Sequence, residues 1–429
     1  MDRTGRIVVL VVCFAAACPI LGAQTITQRG FVDGAAFVFP QRAPNDPVRA
    51  VGDFLAREEV FFKPRPWIQF GGGVDLRANT HDQVDERWRL DLDDRGSRRP
   101  RASLRRLTAT LTRGPFTVDV GKQFIRWGKA DIVNPTDRFA PRDFINVVDA
   151  EFLAVTGVRA VAQHGDDTFE GVWVPRFTPS RVPLLDQRWT AVPNEAAGIP
   201  LLDGGAAFPK GAETGLRWAH VGRGFEYSLS FFDGFNHLPN ISGAVSNAET
   251  AESAERICSA CSANSAFLLV GRSYPAIRTY GVDAAVPTRW FTIKGEAAYF
   301  TSSTPLTDQY VLYVLQVERQ AGEWVIVAGY AGEAITAKRS ILAFAPDRGM
   351  TRSVVARASY TIDPVRGLAV ETAVRQNGAG AYARVEYSQT RGAHWRATVT
   401  GVGIAGEPDD FLGQYQRNSH LTAALRYSF

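Results

Sequence analysis

The sequence predicts an all-β fold, a transmembrane antiparallel β-barrel of about 18 strands, on three observations. Segments of apolar–polar alternation recur along the chain, short turns alternate with long polar connections, and past the first two dozen residues no helix-length apolar run appears. Alternation with period two and one apolar face marks a strand whose two faces meet different surroundings. A spanning helix would need roughly 18 consecutive apolar residues. The 429 residues are 45% hydrophobic and 21% charged, too apolar for a disordered chain. With 39 glycines and 9 tryptophans against 2 methionines, the composition suits short strands and tight turns. A formal charge of +4 with no concentrated basic face excludes a nucleic-acid partner.

The chain opens with Arg3 and Arg6, an apolar stretch from Ile7 to Ala17, then Pro19 and Gly22-Ala23. This order reads as a secretory signal peptide over residues 1–23, leaving 24–429 as a single barrel domain. A lipoprotein site at Cys18 is the alternative, against which Ala15 stands where a branched apolar residue is usual. Beyond the leader only Cys258 and Cys261 remain, a C-x-x-C inside a loop. In an exported chain a local disulfide is expected there. A zinc site would need two further ligands, and none is nearby.

Residues 29–38 and 53–62 form the first strand pair; without them sixteen strands would remain. Strands follow at 66–77, 103–112, 116–126, 152–163, 168–176, 212–221 and 225–233. The rest lie at 276–286, 290–301, 308–318, 323–332, 352–362, 367–376, 381–388, 394–403 and 418–429. Phe225–Phe232 shows the pattern, with aromatic or apolar residues at 225, 227, 229 and 231 and polar ones between. The turns are short, as at Arg113-Gly114-Pro115, Gly165-Asp166-Asp167 and Gly222-Arg223-Gly224. The other connections are long, at 79–101, 128–150, 178–211, 235–274, 335–350 and 405–417. That asymmetry is the plan of an outer-membrane barrel with short periplasmic turns and long extracellular loops.

Seven strands that leave a short turn open on an aromatic residue: Trp67, Phe116, Phe169, Phe225, Trp290, Trp324 and Trp395. Rings at one height form an interfacial girdle, because their amphipathic faces suit the headgroup level. The chain ends on Tyr427-Ser428-Phe429, with apolar residues at alternate positions back to Leu421. Tyr427 and the terminal Phe429 resemble the signal that outer-membrane assembly machinery reads.

With the apolar face on lipid, the opposite face lines a lumen, because a charge on the lipid side costs roughly 2–4 kcal/mol near the midplane. Those positions are Asp75, Arg77, Arg106, Glu213, Arg217, Glu226, Lys294, Glu296, Arg357, Glu371, Arg375, Arg384, Glu386, Arg396 and Arg426. Their signs are mixed, with arginine in modest excess. They serve either a pore of slight anion preference or a self-paired, water-holding wall.

The densest constellation runs from Gly121 to Phe144. Its elements Gly121-Lys122-Gln123, Trp127-Gly128, Asp131 and Asn134-Pro135 resemble Gram-negative outer-membrane channel families, including alginate-export-like and related porin-like barrels. The resemblance covers this hairpin well and the rest as architecture. It implies a passive channel for small polar or amphipathic solutes, with residues 128–150 folding inward. It makes Arg126, Lys129, Asp131, Asp137, Arg138, Arg142 and Asp143 the constriction candidates. The bland reading is a rigid surface loop whose charges satisfy one another.

The expected partners are outer-membrane lipid, the assembly machinery and a small-molecule solute; no cofactor or metal is implied. Asp91–Gly96 begins like a calcium loop, but Arg95 and Ala102 stand where oxygen ligands belong. Ser419 and His420 are strand neighbours pointing to opposite faces, so they cannot pair as nucleophile and base. The rival readings are a lipase- or protease-type barrel enzyme and a structural or adhesive barrel with a plugged lumen.

Overall fold

The computed structural model describes residues 25–191, 199–247, 266–340 and 345–429. Among them, 18 long antiparallel strands form a wall that closes on itself. The first nine are β1 (Thr25–Val38), β2 (Ala50–Arg65), β3 (Ile68–Asn79), β4 (Ala102–Arg113), β5 (Phe116–Gln123), β6 (Val155–His164), β7 (Asp167–Val174), β8 (Glu213–Gly222) and β9 (Phe225–Phe235). The second nine are β10 (Ala276–Pro287), β11 (Thr292–Thr301), β12 (Gln309–Ala321), β13 (Trp324–Ala337), β14 (Ser353–Asp363), β15 (Arg366–Arg375), β16 (Gly380–Arg391), β17 (Trp395–Gly406) and β18 (His420–Ser428).

Each wall strand pairs with its sequence neighbours, and β18 returns to β1 with Phe31 opposite Ser428 and Val38 opposite Leu421. Gly30 and Phe429 exchange both backbone bonds at 3.0 Å. Closure leaves no edge of unpaired N–H and C=O groups, which is the condition for a sheet to stand in lipid. The sixteen-strand alternative is excluded, since β1 and β2 pair along their length and β1 forms the seam. No helix among the described residues is long and apolar enough to cross a membrane; strands make the crossing. Residues 1–23, expected from the sequence to be a signal peptide, and Cys258 and Cys261, expected to form a local disulfide, lie outside the described residues.

The turn ends are tight because glycine allows them to be. Gly165 (φ +58°) and Gly322 (φ +57°) occupy the left-handed region that two-residue hairpins require. The seven girdle aromatics all stand at this end and are 43% to 59% exposed. Above them the outer face is a belt of exposed aliphatic residues, among them Leu107, Leu216, Leu229, Leu315, Val354 and Leu425. An apolar surface of this extent is stable only against acyl chains.

The inner face departs from the uniform polarity expected of it. In the loop-side half of the wall, Phe232, Ile277, Phe300, Leu312, Val355, Tyr382, Val402 and Ile404 point inward and are buried. They are covered by connections that fold into the barrel. Ile125, Trp127 and Phe139 pack on the β7, β9, β10, β11 and β12 side. Trp189, Leu412 and Tyr415 pack on the β14–β17 side. Two of the connections expected to be loops, 178–211 and 235–274, contribute a further sheet. Leu201–Ala207, Asn240–Asn247 and Ala266–Ser273 form a separate three-stranded sheet at the loop end.

Candidate pore constriction

Between β5 and β6 the chain leaves the wall at Phe124 and returns at Ala154, and the segment 124–154 lies inside the barrel. Buried wall carboxylates hold it. Glu296 on β11 accepts four hydrogen bonds: Oε2 from the Lys129 and Ala130 amides at 3.0 and 3.1 Å, Oε1 from the Thr136 amide and hydroxyl, both at 2.8 Å. A carboxylate suits the task because each oxygen accepts more than one N–H, and charge-assisted bonds are the strong ones. Gln316 on β12 accepts from the Asp131 amide at 2.8 Å and donates back to its carboxylate, which also pairs with Lys294 on β11 at 2.9 Å. Lys129 reaches Glu226 on β9 at 3.0 Å and Asp283 on β10 at 3.5 Å.

The segment also organises itself. Asp137 Oδ1 accepts the amides of Trp127 at 2.6 Å and Gly128 at 2.7 Å, and Asn134 donates to the Ala130 carbonyl. A Cβ at Gly128 would stand 2.6 Å from Asn134, so Trp127-Gly128 and Asn134-Pro135 form one folded unit. Trp127 donates to Glu170 on β7 at 2.6 Å and meets Phe139 edge-on, with centroids 5.2 Å apart. Under it the wall is cut back. Cβ atoms at Gly215, Gly281 and Gly329 would fall within 2.6, 2.5 and 2.5 Å of their nearest neighbours, and Trp127, Thr136 and Ile132 are among the atoms they would meet.

A second network ties the segment to other connections. Asp143 receives Arg99 through two bonds at 2.9 and 3.1 Å, and Arg181 at 3.1 Å. Arg181 continues to Asp94 at 2.6 Å, which also holds Lys122 at 2.6 Å. Burial alone would raise the Asp143 pKa, but Arg99 and Arg181 outweigh it and hold the carboxylate well below its ordinary range. Glu151 behaves likewise: burial opposes its charge, yet Arg77 and Arg57 hold its pKa at about 2. His237 sets its Nδ1 against the Thr178 carbonyl at 2.6 Å and its Nε2 against that of Arg138 at 2.8 Å. Burial draws its pKa down to about 4, so near neutrality the ring keeps one N–H and donates to one of the two.

Six of the seven constriction candidates divide into two groups, and Arg126 stands apart. Asp137, Arg138 and Arg142 line a half-open cavity of about 290 Å³ bounded by the segment, residues 235–238 with Ile277, β15–β17 and the 407–419 connection. Lys129, Asp131 and Asp143 instead pin the segment to its surroundings. Arg126 pairs with Asp137 at 3.3 Å, and its guanidinium lies over the Phe152 ring at 4.2 Å, as does that of Arg142 at 4.4 Å. The positions assigned to the lumen lie on the inward face, and most are engaged. Asp75 holds Arg57 at 2.7 Å and Arg77 at 3.4 Å; Arg375 holds Asp410 at 2.8 Å; Arg384 holds Asp149 at 2.6 Å and Glu386 at 3.0 Å. Arg426 meets Asp33 at 2.6 Å, Arg217 meets Asp283 at 3.4 Å, and Arg396 stands 3.9 Å from Glu386. Glu213 is fully buried near the β8 loop end, 3.8 Å from His237. Glu371 lines the cavity beside the segment, while Arg357 lies opposite Glu371 in the β14–β15 register.

Arg105 escaped the sequence reading. A bulge sets Gly73 opposite Arg106 and Val74 opposite Leu104, leaving Arg105 as the extra residue. Both arginines therefore turn inward and face Phe124, at 4.8 and 5.5 Å. Strict alternation would have sent one of them to lipid. No three-residue group of His, Cys, Asp or Glu that could hold a metal occurs among the described residues.

No protein-family model matches the chain, and no curated protein sequence matches it. Solved structures do match in fold. A BenF-like porin from Pseudomonas fluorescens Pf-5 is similar over 96% of this chain and 99% of its own, with TM-score 0.53 and 10% identity. OccAB4 of Acinetobacter baumannii is similar over 94% and 97%, at 0.52 and 11%. The outer membrane protein opdK of Pseudomonas aeruginosa is similar over 94% and 98%, at 0.51 and 8%. The closed wall, its apolar belt and this shared architecture make the chain an outer-membrane barrel of porin-like fold.

Proposed function

We propose that the chain is a passive outer-membrane channel for small polar or amphipathic solutes, whose passage is set by the inward segment 124–154. The observation that carries this reading is the seat built for that segment. Glu296, Gln316, Asp283 and three wall glycines serve its placement across the lumen, which a surface loop would not need. Asp137 and Glu371 balance Arg138 and Arg142 at the cavity beside it, and the inward-facing Arg105 and Arg106 add positive charge, so a modest anion preference follows from the lining charge. The alginate-export-like affinity rests on residues 121–135 alone. The sequence of Tyr427 and Phe429 supports their reading as an assembly signal, and Phe429 also closes the barrel seam.

The two apolar clusters in the loop-side half favour a second reading, a plugged structural barrel. Recording in planar bilayers separates the two. Ohmic single-channel steps support the channel, and their absence from folded protein leaves the plug. In a conducting protein, replacing Arg138 and Arg142 with glutamine shifts the reversal potential toward cation preference. An unchanged potential would remove those residues from the ion path.

A further inference from the structure

The charges at the constriction cavity cancel. Arg138 and Arg142 face it with Asp137 and Glu371, and three of these four are already occupied. Asp137 binds the Trp127 and Gly128 amides, Arg138 stacks on Phe300 at 4.7 Å, and Arg142 stacks on Phe152 at 4.4 Å. The remaining wall is mostly apolar. Val147 and Val148 of the inward segment line it together with Met350, Ile404, Phe411 and Leu412, all members of one packed apolar cluster. A site selective for small ions or sugars would present polar groups all round. This one presents an aliphatic and aromatic sector with a polar rim, the composition of a small-molecule site.

We infer that this cavity is a binding site for compact amphipathic solutes, with one apolar ring or branched alkyl body and a single hydrogen-bonding end. The body lies against the apolar sector of Val147, Val148, Ile404 and Leu412, and the polar end faces Arg138 and Arg142. Size agrees with chemistry. A dry cavity of roughly 150 Å³ suffices for a benzene ring, so about 290 Å³ takes one ring and a short arm. Selection then acts on apolar surface rather than on net charge. The inference rests on the channel reading only for its part in passage; the site itself is independent of conduction.

The test compares cyclohexanol with myo-inositol, which share a six-carbon ring and differ in the hydroxyls that cover it. In bilayer recordings, cyclohexanol added to one side should reduce or interrupt the current of the wild-type channel. Myo-inositol should require roughly tenfold or more concentration for the same effect, as loss of apolar contact predicts. Cyclohexanecarboxylate, with the same body and a charged end, should behave like cyclohexanol. If it alone acts, charge and not apolar surface governs the site, and the inference is overturned.

Val148→Asn and Ile404→Thr, made separately, should each weaken the cyclohexanol effect several-fold while the protein still folds, as judged by heat-modifiable gel mobility. Saturation-transfer NMR of the same solutes on protein in nanodiscs, wild type against each variant, reads binding without current. A non-conducting protein that still prefers cyclohexanol, and loses the preference in the variants, overturns the channel and upholds the site. Equal response to the two ring solutes, or a preference that both variants retain, overturns the site whether or not the protein conducts.

Discussion

Glu296 faces the lumen, yet its charge is directed at backbone rather than at solute. Four donors of the inward segment converge on its two oxygens. Substitution Glu296→Gln keeps the volume but replaces one accepting oxygen with a donating NH2 that opposes the amides it faces. Leaving buried N–H groups without an acceptor costs roughly 1–3 kcal/mol each. Hydrogen exchange of the 129, 130 and 136 amides should therefore accelerate tenfold or more in this variant; equal protection would show that Glu296 does not hold the segment. Acid should act on the far end of the segment through Glu151, which pairs with Arg57 and Arg77. Its pKa of about 2, against an ordinary 4.5, means that its pairing stabilises the fold fully above pH 4.5. That contribution is lost as pH falls toward 2. The conductance difference between wild type and Glu151→Gln should accordingly be constant from pH 7 to 5 and change only below about 4.5. A transition centred between pH 5 and 7 would assign the control to another group.

At the scale of the element, the inward segment depends on an absence of side chains beneath it. Gly215, Gly281 and Gly329 hollow the wall where Trp127, Thr136 and Ile132 come down. Overpacking such a contact costs typically 1–3 kcal/mol, which the segment can relieve by lifting into the lumen. Gly215→Val should then lower conductance while gel mobility still reports a closed barrel; unchanged conductance would separate the seat from passage. The strands themselves were legible in the sequence because lipid on one side and water on the other impose period two. Legibility stopped where both faces became apolar, as along Tyr310–Leu315, because inward apolar residues meet folded-in loops that alternation cannot anticipate. Arg105 was hidden for a related reason, since a bulge changes the side to which a residue points without leaving a trace in composition. The Gly121–Phe144 constellation was visible as a dense motif. Its division into pins such as Lys129 and Asp131 and cavity residues such as Arg138 depends on partners about 100 to 190 positions away.

For the whole molecule, closure joins first and last strands. Gly30 and Phe429 bond reciprocally, and Tyr427 packs on Trp395 with centroids 4.9 Å apart. Deleting Phe429 should reduce the heat-modifiable folded fraction several-fold in cells, and a full yield would remove the C terminus from the assembly account. Inside the closed wall, half the lumen is charged and the loop-side half is apolar and covered, so the inward segment stands where water meets packed core. The central claim is that this segment, held by Glu296 and Gln316, governs passage. Single-channel conductance of the double variant Glu296→Ala, Gln316→Ala against wild type tests it most directly. The account predicts ohmic steps in both, with larger and noisier steps once the segment is released. Steps of identical size and noise, from a variant whose segment amides exchange freely, would contradict it.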